Sequence, residues 1–394
     1  MSKNCLPTPS FILDALELKT CIESFGKSLL HKFHKVVVGY SVKTNSLPYC
    51  LTVAKNHGCF AEVVSYHEYA LALKVGFPVS HIIYNGPLKS EESFLEAIMS
   101  GAIVNIETWR ELKWLRKLPL NGRYKVGIRL NVDISAVSPA DENHENDDSR
   151  FGFSAESGDF EKALLLLKEL PNVTLAGLHT HRTSKTRSLD FYRHTLEYAQ
   201  SIIKQYGLSL EYLDLGGGYF GPMPNKPTFE DYADVFQRTL CDQLKNLTII
   251  VEPGNALVAS AFDYISEVID VKYHNHQYYV TTDATRNDID PFFHKEDYFK
   301  TIQHLSPSTI VHDRQIVSGS TCLEYDRLFT VDKGEELLQE GDRIIYHRVG
   351  AYTLALTPLF IHYFPKIYVK HADGTFELIR EEWSENEFIQ KSKY

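Results

Sequence analysis

From about residue 36 to residue 255 the chain alternates short apolar runs with amphipathic segments, and this rhythm restricts the fold more than any other feature. The runs are VVVGYSV (36–42), FAEVV (60–64), HIIYNG (81–86), AIVNIE (102–107), KVGIRLNV (125–132), LAGLHTH (175–181), EYLDLGG (211–217) and TIIVEPG (248–254). Helical periodicity fills 47–57, 66–75, 90–100, 108–117, 157–169, 188–206 and 229–244. In 157–169, Phe160, Ala163, Leu164 and Leu167 recur at helical spacing and Pro171 stops the run. Eight strands alternating with helices predict a (β/α)8 barrel, with an open doubly wound sheet as the competing layout. A candidate helix at 14–31 could complete the helical ring.

Two stretches break the rhythm. Residues 134–149 are acidic, polar and nearly free of apolar side chains, which predicts a mobile loop after the fifth strand. After about 256 the runs DYISEVIDVKY, YYVTTDA, DRIIYHRVGAYTLA and PKIYVKH are β-rich, with no long helices between them. They predict a C-terminal all-β domain, and the opening TPSFILD reads as a strand that joins it. The expected division is 1–30 for that strand and the lead-in helix, 31–265 for the barrel and 266–394 for the β-domain.

At 394 residues, 43% of them hydrophobic, the chain has apolar content for two cores. A net charge of −10 argues against a nucleic-acid surface. No apolar run approaches the roughly 18 residues of a membrane span, and MSKNCLPTPSFILD lacks the basic-then-apolar order of a signal peptide. Cys5, Cys21, Cys50, Cys59, Cys241 and Cys322 are scattered without a C-x-x-C pair, so the expected location is the reducing cytoplasm.

Catalytic residues of such a barrel gather at the C-terminal strand ends. That rule selects Lys43, Ser65, Asn85, Asn131, His181, Gly216 to Gly218 and Glu252. A lysine desolvated beside Tyr40 and Val42 can form a Schiff base; the bland alternative is a solvated loop lysine. Gly216-Gly217-Gly218 can cradle a phosphate with its N–H groups, or serve only as a flexible turn. It is not G-x-G-x-x-G, which disfavours a dinucleotide. A buried Glu252 needs a cationic or protonated partner such as a pyridinium nitrogen, unless it lies on a polar rim. His179 and His181 are read as pointing to opposite faces, one free to stack on an aromatic cofactor. No His, Asp and Glu set has metal-ligand spacing, so no metal is expected. A lone cysteine such as Cys322 is more often structural.

Taken in order, YSVKTN, EVVSYHE, NGPLKS, SRFGF, GLHTHRTSK, LDLGGGYFG, EPGNALVA, STCLEYD and VGAYTLA resemble the fold-type III pyridoxal-phosphate decarboxylases, the diaminopimelate, ornithine and arginine decarboxylase family. The resemblance runs from TPSFILD to the last strands. It implies an alanine-racemase-like barrel with a β-domain, and a head-to-tail homodimer whose active sites lie at the interface. By resemblance, Lys43 is the lysine that holds pyridoxal 5'-phosphate as an aldimine, His181 stacks on its ring, and Ser184, Gly217, Gly218 and Tyr352 bind its phosphate. Glu252 pairs with the ring nitrogen, followed by Gly254 and Asn255 at the cofactor. Cys322, contributed by the second subunit, protonates the carbanion left by decarboxylation.

Substrate positions depart from the family. E-P-G-R is here E-P-G-N, with Asn255 for arginine, and the acid after the active cysteine is Leu323. R-P-x-L-Y appears as Asp290-Pro291-Phe292-Phe293-His294, which places Asp290 and His294, with Tyr352, among the candidate substrate contacts. H-I-G-S is His-Arg-Thr-Ser (181–184), and Arg182, Lys185 and Arg187 put positive charge nearby, if they are not simply a solvated face. The expected activity is decarboxylation of an amino acid or amino-acid derivative other than meso-diaminopimelate. The alternatives are diaminopimelate decarboxylase proper and a racemase of the same fold. Racemases of this fold pair the ring nitrogen with arginine, where Glu252 supports the stronger electron sink.

Overall fold

The computed structural model describes residues 6–141, 149–183 and 186–393, which divide into two compact units. One comprises Lys19–Leu257 and the other the residues up to Leu18 together with those from Val258 onward.

The first strand, β1 (Ser10–Asp14), precedes a helix over Ala15–Leu30, the expected lead-in. Eight parallel strands then alternate with helices: β2 (Val36–Ser41), β3 (Phe60–Ser65), β4 (Ile82–Leu88), β5 (Ile103–Ile106), β6 (Tyr124–Asn131), β8 (Val173–His179), β9 (Tyr212–Asp214) and β10 (Thr248–Val251). A two-residue strand, β7 (Phe153–Ser154), pairs only with β6. The order β5-β4-β3-β2-β10-β9-β8-β6 closes through pairing of β5 with β6, so the sheet is a barrel and not an open layer.

Local chemistry sets the βα turns. Ser65 caps the helix Tyr66–Val75 by accepting from Glu68 N (3.1 Å), and Glu68 Oε2 accepts from Val64 N (2.8 Å). Thr108 with Glu111 and Thr228 with Asp231 form full capping boxes, and Ser188 caps Leu189–Tyr206. That last helix buries Phe191, Tyr192, Thr195, Leu196, Ala199, Ile202 and Ile203, one face at i, i+3/i+4 spacing. The expected helix over 229–244 is two, Phe229–Thr239 and Asp242–Lys245. Inside the barrel, Tyr212 occupies space left by two glycines: a Cβ on Gly177 would stand 2.0 Å from its ring, and one on Gly127 2.2 Å from its hydroxyl.

The stretch 134–149 is not wholly loop. Asp133 caps one helical turn, Ile134–Val137, and Asp141 is buried; residues 142–148 lie outside the described residues.

The other unit is a nine-stranded sheet. It contains β1 with β11 (Phe262–His274), β12 (Gln277–Thr282), β13 (Lys300–Gln303), β14 (Gln315–Ser318), β15 (Arg327–Val331), β16 (Arg343–His347), β17 (Lys366–Lys370) and β18 (Phe376–Arg380). β1 runs antiparallel to β11 (Ser10 opposite Ile265) and parallel to β17 (Ser10 opposite Lys366). A boundary at 265/266 would cut β11, a continuous strand of 13 residues; the division falls before it. Leu6, Ile12, Ile265, Ile345 and Tyr368 form one core cluster of this unit.

Candidate active site

Lys43 sits in a single 3-10 turn, Val42–Thr44, directly after β2. Its Nζ donates to Ser41 Oγ (2.8 Å) and to Glu62 Oε2 (2.6 Å). Ser41 Oγ donates to the same oxygen at 2.7 Å. The lysine side chain is 35% exposed and the glutamate 1%, so the amine reaches from the barrel mouth to a charge fixed inside.

Glu252 follows β10 and is buried. Its Oε1 accepts from Asn85 Nδ2 (2.5 Å), and its Oε2 lies 3.5 Å from His179 Nε2. Burial raises the carboxyl, but His179 and Lys43 outweigh it and hold Glu252 well below the usual carboxylate range. Asp214, at the end of β9, goes the other way. Burial and then the nearby charge of Glu252 push its pKa well above normal.

These groups belong to one hydrogen-bonded layer. Asn85 Nδ2 also donates to Glu62 Oε1 (3.2 Å), and Asn105 Nδ2 donates to Asn85 Oδ1 (2.9 Å) and Asp214 Oδ2 (3.0 Å). Tyr212 OH donates to Asn105 Oδ1 at 2.9 Å.

His181 lies just beyond β8. Gly217 N donates to its Nδ1 at 3.1 Å, and Arg129 donates to its carbonyl at 3.2 Å while paired with Glu107 at 2.7 Å. Loss of water, then the charges of Arg129 and Lys43, hold the His181 pKa well below its ordinary value. His179 and His181 do not diverge. Residues two apart share a face of a strand, and the rings are parallel within 8° with centroids 6.3 Å apart.

The glycine run is backbone-shaped. Gly216 (φ +66°) and Gly218 (φ +97°) occupy the left-handed region, and a Cβ on Gly216 would stand 2.4 Å from that of His181. Tyr192 OH holds the run from outside by donating to Gly217 O (3.1 Å). Gly254 has no room either, since a Cβ there would stand 2.0 Å from Thr44 Oγ1. Asn255 opens the short helix Asn255–Val258 and is half-buried. Ser184 and Lys185 lie outside the described residues. Two residues selected by strand position are structural: Ser65 is the helix cap above, and Asn131 donates to Ser149 O (2.6 Å).

Cys322, in the sheet unit, is exposed. Its turn is tied by Asp326, whose Oδ2 accepts from Thr321 Oγ1 (2.6 Å) and whose Oδ1 accepts from Arg286 N (2.8 Å). Leu323 is half-buried beside it. Asp290 is buried, and its carboxylate accepts from Arg286 (2.9 Å), Lys295 N (2.9 Å) and His294 N (3.2 Å). The exposed His294 ring stacks on Phe292 at 5.5 Å. Tyr352 is 38% exposed with φ +57°.

Glu62, Asn105 and Arg129 lie inside strands, and Asp214 ends β9 three residues before its run does, so none stands at the end of an expected run. A signal existed: each is a polar residue within a mostly apolar run (FAEVV, AIVNIE, VGIRL, EYLDL), and buried polar groups need partners. His179, Asp214 and Glu252 also bring one ligand atom each within 4.8 Å of one another. Sequence spacing hides this grouping because the residues come from separate strands.

A pyridoxal phosphate fits the barrel residues. Among the described residues, both ring nitrogens of His179 are buried without a hydrogen-bond partner, Glu252 is a buried carboxyl held below its usual range, and the glycine run offers backbone where side chains would collide.

Comparison with known proteins supports the same cofactor. The family described as pyridoxal-dependent decarboxylase, pyridoxal binding domain, matches residues 20–259. A diaminopimelate decarboxylase of Aquifex aeolicus is 26% identical over 98% of this chain and 91% of its own length. A probable chloroplastic diaminopimelate decarboxylase of Oryza sativa is 28% identical over 90% of this chain and 74% of its own. Among solved structures, a diaminopimelate decarboxylase from M. jannaschii superposes with TM-score 0.84 at 23% identity, covering 99% of this chain and 93% of that one. The arginine decarboxylase of Paramecium bursaria Chlorella virus gives 0.76 at 19%, covering 93% and 96%.

Proposed function

The chain belongs to the pyridoxal-dependent decarboxylases, and from that premise we propose how it acts and on what. It is a pyridoxal-phosphate-dependent carboxy-lyase for an amino-acid substrate. When bound, the cofactor accepts the electron pair left at Cα as the carboxyl group departs as carbon dioxide.

The chain's own groups do the rest. Lys43 Nζ would hold the cofactor, and Glu62 and Ser41, which accept from that amine, would fix its position. Glu252 keeps the ring nitrogen protonated through a charge-assisted hydrogen bond, a type worth about 1.5–3 kcal/mol. His181 would cover the ring, Gly217, Gly218, Ser184 and Tyr352 would take the phosphate, and Gly254 and Asn255 would line the cofactor. Fixing the cofactor at both ends keeps the breaking bond aligned. Cys322 of a second copy delivers a proton to Cα, so the working unit is a homodimer. Scattered cysteines without a C-x-x-C pair suit a reducing compartment.

The observation that carries this reading is the buried Glu252, whose Oε1 accepts from Asn85 Nδ2 (2.5 Å) and whose Oε2 lies 3.5 Å from His179 Nε2. A racemase needs a weaker sink, and an ionised carboxylate strengthens it. Asn255 and Leu323 stand where the family places an arginine and an acid. Asp290, filled by Arg286 and two backbone N–H groups, has little left for a ligand. The substrate we propose is a modified amino acid with a bulky or anionic distal group, other than meso-diaminopimelate. The test is carbon dioxide release across ornithine, lysine, arginine, diaminopimelate, carboxylated polyamines and carrier-bound amino acids, with chiral analysis of recovered substrate. Racemised substrate without carbon dioxide would overturn the reaction.

A further inference from the structure

Among the described residues, the barrel layer holds more carboxyl groups than cations to match them. Lys43 contacts Glu62 (2.6 Å), and Arg129 contacts Glu107 (2.7 Å). His181 accepts at Nδ1 from a backbone N–H and is neutral. Asp214 and Glu252 remain, with one imidazole, His179, between them. They are 0% and 4% exposed, and an oxygen of each lies within 4.8 Å of the other. Two carboxyls sharing a buried site disfavour double ionisation, and the pKa of one of them is raised.

Geometry decides which. Glu252 faces His179 and Lys43 and takes the Asn85 amide at 2.5 Å, so its environment favours the anion. Asp214 accepts at Oδ1 from Gly216 N (3.0 Å) and at Oδ2 from Asn105 Nδ2 (3.0 Å). Both bonds can be accepted by a neutral acid, whose hydroxyl oxygen still has one proton to give. Tyr212 OH fixes the Asn105 amide so that its NH2 points to Asp214.

We propose that Asp214 is a positioning residue that works as a neutral carboxylic acid, its hydroxyl donating to Glu252. It thereby orients Glu252 as the one anion presented to the cofactor's ring nitrogen, which rests on the assignment of Glu252 proposed above. An aspartate that was needed as a charge could not be replaced by an amide. A neutral donor is replaced in part: asparagine supplies N–H in place of O–H and keeps one acceptor, and it gives up the acceptor that faces Asn105 Nδ2.

The experiment has two arms. Infrared spectra of the cofactor-free protein at neutral pH should show the carbonyl stretch of a protonated carboxyl, absent in Asp214→Asn. A missing band in the parent protein, or one unchanged in the variant, overturns the proposal. In the second arm, the pyridoxal-phosphate dissociation constant is measured by fluorescence titration. Asp214→Leu should weaken binding tenfold or more (about 1.4 kcal/mol), and Asp214→Asn, which keeps a donor toward Glu252 and loses one acceptor, should weaken it less. A loss in Asp214→Asn as large as in Asp214→Leu, or none in Asp214→Leu, also overturns it. The infrared arm needs neither cofactor nor substrate, so it stands or falls apart from the assigned reaction.

Discussion

Gly217 N donates to Nδ1 of His181 at 3.1 Å, and that bond fixes the imidazole in one tautomer, its proton on Nε2. The His181 pKa is lowered, so the ring is uncharged through the neutral range and protonates only well below its ordinary 6.5. The sign for stability follows: the unfolded chain binds this proton first, so the group destabilises the fold as pH drops below about 6.5. Side-chain NMR of the cofactor-free protein should show His181 neutral, with Nε2–H, from about pH 8 to about pH 6. A titration midpoint near the ordinary value would contradict this.

Lys43→Ala should abolish turnover and remove the visible absorbance of lysine-bound pyridoxal. Borohydride reduction of the parent protein followed by peptide mapping should find the adduct on Lys43. An adduct retained on another lysine of the variant would refute the assignment.

The shared site predicts complementation. Lys43→Ala and Cys322→Ala protomers are each expected to be inactive. Mixed, they form heterodimers in which one site has both residues intact, so activity should return toward about a quarter of the parent level on statistical mixing. No recovery after verified subunit exchange would count against a site built from two copies.

Diaminopimelate should be a poor substrate. Its distal amino-acid group would meet Asn255 instead of an arginine fork and Leu323 instead of an acid. Each lost charged hydrogen bond costs roughly 1.5–3 kcal/mol, so turnover should fall by orders of magnitude. A kcat/KM of about 10⁴ M⁻¹s⁻¹ or more would sink the prediction.

Asp288 of the sheet unit gives a pH test away from the site. Burial pushes its pKa up to about 6, against the opposing effects of His362 and the Tyr264 hydroxyl, which donates to it at 2.6 Å. A raised acid binds its proton more tightly in the folded state, so stability is lost as pH rises from about 4 to about 6, at about 1.4 kcal/mol per unit. Denaturant unfolding of Asp288→Asn should lack that slope. A parent and variant with parallel profiles would rule the effect out.

The barrel was legible because apolar period and capping chemistry agree over each unit. Each of the eight expected runs contains or overlaps a strand, and Lys43 and Glu252 fall at strand ends as the fold requires. The layer beneath them was not legible. Glu62, Asn105 and Asp214 meet through strand register and barrel closure, which no local spacing records. His179 and His181 were misjudged by a simple parity error. In the sheet unit, Asp290 read as a displaced substrate contact, but Arg286, four residues earlier on one short helical turn, occupies it.

The pairing of β1 has a consequence for biosynthesis. Its neighbours are β11 and β17, so this strand must wait for residues far later in the sequence before both its edges are covered. Until then Ser10–Asp14 presents open hydrogen-bonding groups and the apolar side chains of Phe11, Ile12 and Leu13. An uncovered strand of that kind invites pairing with another chain. The barrel can close once Val251 has emerged, but the sheet unit depends on residues near the end of the chain. Truncation before Lys366 therefore threatens solubility before it threatens cofactor binding.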